Sequence, residues 1–271
     1  MALNVFLILV AYVLGSIPSA VWIGKRFYGI DVREHGSRNA GATNTLRVLG
    51  ARAALPVFAI DILKGFAAVM LAHLSGYEAG SSQMFNLKIA LVAAAVAGHI
   101  LPLFADFRGG KGVATLAGAV LAVYPGAVLL CLVVFAIVFG LTHYVSLGSM
   151  SAGVAFPIFI LILKRQPPVS LVVFGCVIAL LLLFTHRKNI RRLLTRCESK
   201  TYLVKHKGRS APVAAVRVSG VGRSSFPACC RAGICRSRAS VILRMPACLG
   251  DYPAFRSSRY GMSVCIRCDC R

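Results

Sequence analysis

Residues 113–142 read VATLAGAVLAVYPGAVLLCLVVFAIVFGLT, an apolar run without a single charge. Taken as one helix, it exceeds the ~20 residues that a bilayer requires. Tyr124-Pro125-Gly126 interrupts it with a turn signal, because proline removes a backbone donor and biases the preceding residue away from helix. The choice at Pro125 governs the whole chain. Left unsplit, the run places the basic segment Arg187-Lys188-Asn189-Ile190-Arg191-Arg192 on the face opposite Lys25–Arg52. Split, it brings every basic loop to one face, as the positive-inside rule asks.

Apolar runs at 2–24, 52–73, 86–105, 150–163 and 168–186 accompany the two halves, 113–124 and 127–142. The sequence therefore predicts an all-α integral membrane protein with about seven transmembrane helices. Composition agrees, with 58% hydrophobic and 14% charged residues, too apolar for an ordinary soluble domain. The first run has no basic residue before it and no small-x-small cleavage site, so a retained span is expected. Basic residues gather at 25–52, 108–111 and 187–196, against Lys88, Lys164 and Arg165 on the other face. This predicts an outside N-terminus and a cytoplasmic C-terminus. Three predicted spans, 113–124, 127–142 and 150–163, fall below the ~17-residue floor and read as possible half-helices opening a cavity.

The net charge of +23 raises nucleic acid as a partner, but its distribution argues against one. No aromatic-studded basic helix or zinc-finger spacing accompanies it, and clustering beside apolar runs instead fits orientation and anionic headgroups or substrates. Residues 209–271 hold 11 Arg, no Lys and seven of the ten cysteines. Cys265-Ile266-Arg267-Cys268 has no second pair of matching spacing, so no metal or other cofactor is expected. Residues 206–271 read as a basic Cys/Arg-rich tail, disordered or a frameshift product, and residues 1–205 as the functional domain.

Two polar stretches look built to hold phosphate: Gly36-Ser37-Arg38-Asn39-Ala40-Gly41-Ala42-Thr43-Asn44 and Phe107-Arg108-Gly109-Gly110-Lys111-Gly112-Val113-Ala114-Thr115. Glycines let backbone N–H groups approach an anion, and the cation neutralises it. The second is no Walker loop, since Gly112 follows Lys111; glycines also serve helix packing in membranes. The predicted topology puts 25–51, 106–112, 142–149 and 187 onward on one face. Those segments, with His99 and His186 at helix ends, offer cations, hydroxyls and imidazole to one cavity, a set suited to two phosphates. His186 and Asn189 share a face if their helix continues. Asp61 and Lys64, three apart inside a span, form a neutralising pair or support such a cavity.

In these motifs the chain resembles the bacterial acyl-phosphate:glycerol-3-phosphate acyltransferases, the PlsY family. The resemblance rests on Gly15-Ser16-Ile17-Pro18-Ser19, Gly36–Asn44 with Arg47, Asp61-Ile62-Leu63-Lys64-Gly65, Gly98-His99, Gly109–Thr115, Val145–Ser149, and His186–Leu194 with Glu198. It implies a seven-span enzyme of the bacterial cytoplasmic (inner) membrane, multi-pass, with its site on the cytoplasmic face. The implied reaction moves a fatty acyl group from acyl phosphate to the 1-hydroxyl of glycerol 3-phosphate. By resemblance, Ser37, Arg47 and Lys111 hold glycerol 3-phosphate. Asn39, Gly41, Thr43, Ser149 or Ser146, His186 and Asn189 then surround the acyl phosphate, with Gly109 and Gly110 in the phosphate loop. The proton acceptor is the donor phosphate or His186. Two departures stand out: Arg38 replaces the family's usual Gly, and Arg196-Cys197 replace the Gly-Thr that usually precedes Glu198.

The residues agree with that implication in what they lack. No His-x4-Asp pair and no Gly-x-Ser-x-Gly elbow is present. A transporter of a phosphorylated small molecule shares the spans and the basic cavity, but alternating access needs gating groups on both faces. A lipid scaffold leaves Gly-Gly-Lys-Gly and the intramembrane Asp61 and Lys64 unexplained.

Overall fold

The computed structural model describes residues 1–201 and two short strands, β1 (Val241–Ile242) and β2 (Cys265–Ile266), which pair antiparallel. The chain divides into two units, Met1–Leu203 and Val204–Arg271. Apart from those strands, the tail and its expected disorder fall outside the described residues.

The first helix, α1 (Ala2–Gly15), stops before Pro18, and α2 (Ser19–Tyr28) resumes beyond it to end on left-handed Gly29. The buried Ser16 hydroxyl donates to the Tyr12 carbonyl at 2.8 Å, serving a polar group at the break. A loop then leads into α3 (Ala42–Leu49) and α4 (Ala51–Met70), which carries Asp61 and Lys64. Next comes α5 (Ser82–Ile100), whose Ser81 cap accepts from the Met84 N–H.

The opening stretch breaks where proline predicts. α6 (Val113–Leu121) ends at a turn, and α7 (Pro125–Thr142) begins on Pro125, at the position where its missing N–H costs nothing. Two of the three expected short spans are corrected. α7 has 18 residues, and α8 (Val145–Leu163) has 19, starting before the predicted 150. Ser149 Oγ donates to the Val145 carbonyl at 2.9 Å, so the polar 146–149 stretch enters the helix with its hydroxyl satisfied. Of the three predicted short spans, α6 alone stays short, at nine residues.

α9 (Val169–Thr185) and α10 (Arg187–Leu194) follow, bent by 60° at His186. Ala2–Tyr28, Ala51–Ser75, Ser82–Ala105, Pro125–Thr142 and Val145–Leu163 are each long and apolar enough to cross a membrane, and the bent α9–α10 pair makes a sixth. α6, at nine residues, falls short of that length. Leu129, Val133, Ile137 and Leu141 of α7 are exposed, an apolar outer face suited to lipid.

Glycines set the closest crossings. A Cβ on Gly15 or Gly98 would strike the backbone of the opposite helix in the α1–α5 pair, and one on Gly65 or Gly118 would do so in the α4–α6 pair. Backbones can approach this closely only where the side chain is a hydrogen. The contacts hold the start of α6, with Thr115, against Asp61 of α4 and His99 of α5.

Candidate active site

A cavity of about 170 Å³ lies where the predicted segments meet. The 37–44 stretch contributes Ser37, Asn39, Gly41, Thr43 and Asn44, followed by Arg47 of α3. Lys111 comes from the loop before α6, Ser146 and Ser149 from α8, and His186 and Asn189 from the α9–α10 bend. Asp61, His99 and Glu198 complete the polar wall.

Asn44 organises the first loop from inside. Its Oδ1 accepts from the Ser37 N–H at 2.8 Å and hydroxyl at 3.0 Å, while Nδ2 donates to the carbonyls of Val32 (2.7 Å) and His35 (3.1 Å). Gly36 has φ 60° and its missing Cβ makes room for Asn44 Oδ1. Arg38 has φ 58°, a left-handed conformation that glycine adopts without strain. The same geometry explains why glycine suits that position. Beneath the loop, Arg33 grips Asp31 through Nη2 at 2.8 Å and donates to the Ala105 carbonyl at 2.8 Å, tying the loop to the segment after α5. Arg33 holds the Asp31 carboxyl well below the usual carboxylate range.

At the opposite wall, Lys111 Nζ donates to Asn189 Oδ1, and Asn189 Nδ2 donates to Glu198 Oε1 at 2.8 Å. Ser146 Oγ donates to the same oxygen at 3.3 Å, and Arg47 Nη2 stands 3.8 Å from it. Arg47 also donates to the Ser199 carbonyl at 3.1 Å and to Thr201 Oγ1 at 3.3 Å. Burial pushes the Lys111 ammonium down to about 8, with Glu198 opposing the shift and Arg47 and Arg192 adding to it. Two cations, an amide and hydroxyls thus surround one small volume. Such a set can hold an anion and stabilise charge developing on it.

His186 and Asn189 do meet at the cavity, but not on one continuous helix. The chain bends between them, with His186 capping α10. His186 Nδ1 donates to the Leu182 carbonyl at 2.8 Å, because a carbonyl only accepts. In the neutral ring this leaves Nε2 as the acceptor.

Gly109 and Gly110 are not among the cavity's lining residues. Their N–H groups are spent on the carbonyls of Ile100 and His99, at 3.2 and 3.1 Å. A Cβ at Gly109 would collide with the His99 carbonyl, and one at Gly110 with the His99 ring. Their part is close packing that seats Lys111. Glu198 is the residue whose place the sequence left open, since its family context, Gly-Thr, is altered here. Asn44 stood in the motif, but nothing in the sequence showed that it faces inward.

A second, apolar cavity of about 110 Å³ adjoins the first, sharing Val113, Ala117, Leu132, Phe135 and Ser149 and reaching Phe156, Ile178 and Leu182.

The sequence profile described as glycerol-3-phosphate acyltransferase matches residues 5–196. The chain belongs to the glycerol-3-phosphate acyltransferase family. It is 42% identical over 200 residues to the glycerol-3-phosphate acyltransferase of Clostridioides difficile, covering 72% of this chain and 94% of that one. The Enterococcus faecalis protein of the same name is 42% identical over 203 residues, covering 72% and 91%. A crystal structure of PlsY (YgiH), an integral membrane glycerol 3-phosphate acyltransferase in its glycerol 3-phosphate form, matches with TM-score 0.66 and 38% identity, over 73% of this chain and 96% of that one. The lysophosphatidic acid form of PlsY matches with TM-score 0.64 and 37% identity, covering 74% and 96%. In this member of the acyltransferase family, all four predicted segments contribute to one cavity.

Proposed function

We propose that the chain transfers a fatty acyl group from acyl phosphate to the 1-hydroxyl of sn-glycerol 3-phosphate. The products are 1-acyl-glycerol 3-phosphate (lysophosphatidic acid) and phosphate, the first acylation of phospholipid synthesis. The observation that carries this reading is a cationic polar cavity opening onto an apolar one through shared residues. A small double-anion site joined to a lipid-compatible groove matches a polar acceptor and an amphiphilic donor.

The chemistry needs no covalent enzyme intermediate, because phosphate is already a good leaving group. The glycerol 1-oxygen attacks the acyl carbon, the bond from that carbon to the phosphate oxygen breaks, and phosphate departs with the electron pair. The hydroxyl proton goes to the departing phosphate or to Nε2 of His186. Arg47, Lys111 and Ser37 hold the acceptor's phosphate. Asn39, Gly41, Thr43, Ser146, Ser149 and Asn189 hold the donor, whose chain occupies the apolar cavity. Holding two anions at reacting distance and offsetting their charge are the main tasks left to the protein. The site opens to the cytoplasm in the bacterial inner membrane, a reading supported by the basic loops.

The test uses membranes carrying the protein with labelled glycerol 3-phosphate and, in turn, acyl phosphate, acyl-CoA and acyl-carrier protein as donor. Labelled lysophosphatidic acid is expected from acyl phosphate alone. Product from either thioester donor in the absence of acyl phosphate overturns the donor assignment.

A pH dependence follows from Lys111. Its ammonium is charged below about 8 and loses its charge as pH rises through that value. The kcat/KM for glycerol 3-phosphate is therefore expected to fall above pH 8, by up to about tenfold per pH unit. Bound phosphate favours the charged ammonium, so the corresponding limb in kcat lies at higher pH. A flat kcat/KM from pH 7 to 10 would show that Lys111 does not contact the acceptor's phosphate.

A further inference from the structure

Two buried polar atoms at the cavity wall lack a hydrogen-bond partner among the described residues: Arg47 Nε and Glu198 Oε2. They belong to a single loose ion pair, Nη2 to Oε1 at 3.8 Å, and both side chains line the cavity. The Glu198 side chain is 2% exposed, so leaving a carboxylate oxygen unpaired there is costly. Its other oxygen is fully engaged by Asn189 Nδ2 and Ser146 Oγ. The carboxylate is thus fixed in orientation, with one acceptor and one neighbouring donor left for a ligand.

The two orphans call for different partners. Arg47 Nε donates and suits a phosphate oxygen. An ionised carboxylate only accepts, and it repels phosphate, so Oε2 suits a hydroxyl donor. Glycerol 3-phosphate carries two hydroxyls. The one on C2 lies next to the phosphate-bearing carbon, whereas the one on C1 lies farther away and must face the acyl donor. With Arg47 on the phosphate and Glu198 beside Arg47, the hydroxyl within reach is the one on C2.

We propose that Glu198 reads the C2 hydroxyl of the acceptor and makes the enzyme selective for it. The inference rests on glycerol 3-phosphate being the acceptor. An acceptor with a carbonyl at C2 presents a lone pair to a carboxylate and is repelled; one with no oxygen there leaves the buried acceptor unpaired. Sites that hydrogen-bond a substrate hydroxyl reject analogues lacking it for this reason.

The experiment compares kcat/KM for glycerol 3-phosphate, dihydroxyacetone phosphate and 3-hydroxypropyl phosphate, with acyl phosphate as donor, in the parent, Glu198→Gln and Glu198→Asp. The parent is expected to favour glycerol 3-phosphate over both analogues by about tenfold to a hundredfold, the range for a hydrogen bond to a charged group. In Glu198→Gln the amide oxygen keeps the contacts from Asn189 and Ser146, and the amide N–H₂ points where Oε2 was. That donor can satisfy a C2 carbonyl, so the ratio shifts toward dihydroxyacetone phosphate by about tenfold or more. Glu198→Asp withdraws the carboxylate by one methylene and narrows the preference without creating the donor.

Equal use of all three acceptors by the parent overturns the proposal, whether or not any variant folds. So does a Glu198→Gln enzyme that loses activity on every acceptor in the same proportion, since a counter-ion for Arg47 would behave that way. A parent that transfers to none of the three overturns the acceptor assignment and this proposal with it.

Discussion

Lys111→Ala is expected to cut acyl transfer by about one to two orders of magnitude, the range for losing a hydrogen bond between charged groups. The ammonium donates to Asn189 and lines the cavity with Arg47, the position the proposed reaction needs for a cation on the acceptor's phosphate. A charged hydrogen bond is worth about 1.5–3 kcal/mol, and the loss grows if the contact to the acceptor's phosphate is tighter in the transition state. Folding is expected to survive. Arg47 and Arg192 oppose the Lys111 charge, and Asn189 remains bonded to Glu198. The check pairs kinetics on labelled glycerol 3-phosphate with thermal unfolding in detergent. A stable variant within a few-fold of parental activity removes Lys111 from the substrate site. Ser37→Ala and Asn189→Ala act in the same direction but less severely, since each removes a neutral partner.

What the sequence disclosed and what it hid differ in physical kind. Pro125 was legible because proline punishes a helix wherever the chain goes, and the turn at 122–123 stands before it. Apolar runs were legible because length and hydrophobicity alone decide whether a helix suits lipid. The start of α8 was not. Ser146, Gly148 and Ser149 look like a loop until the back-bond from Ser149 to Val145 is seen.

The site followed the same division. Residue types that bind phosphate pointed to Ser37, Arg47 and Lys111, all of which line the cavity. The glycines at 109–110 were ambiguous, because a glycine that admits an anion and one that admits a neighbouring imidazole look alike in sequence. His186 and Asn189 were paired by helical spacing, yet a 60° bend brings them to the wall. Glu198 was hidden because its partners, Asn189, Ser146 and Arg47, lie on three separate elements.

Asp61→Ala is expected to destabilise the protein by about 3–5 kcal/mol, because it leaves the Lys64 ammonium buried without its counter-charge. Asp61 Oδ1 accepts from Lys64 Nζ at 2.9 Å and from Ser19 Oγ at 2.8 Å, and His99 Nδ1 lies 3.6 Å away. Lys64 has fewer alternatives: among the described residues its Nζ has, besides Asp61, the Ile17 carbonyl at 2.8 Å. The two single variants should therefore be unequal. Lys64→Met leaves a carboxylate still held by Ser19 and near His99, whereas Asp61→Ala leaves an ammonium with one carbonyl. Combining Asp61→Ala with Lys64→Met removes both charges, and the double variant should regain most of the lost stability. Thermal unfolding in detergent of the four proteins measures this. A double variant no more stable than Asp61→Ala would show that the pair is not mutually compensating. Because Asp61 and His99 also line the cavity, activity reads a second quantity. A stable double variant that transfers acyl groups slowly would place the buried pair among the groups that position the site, through His99 and its neighbour Thr115 at 3.0 Å.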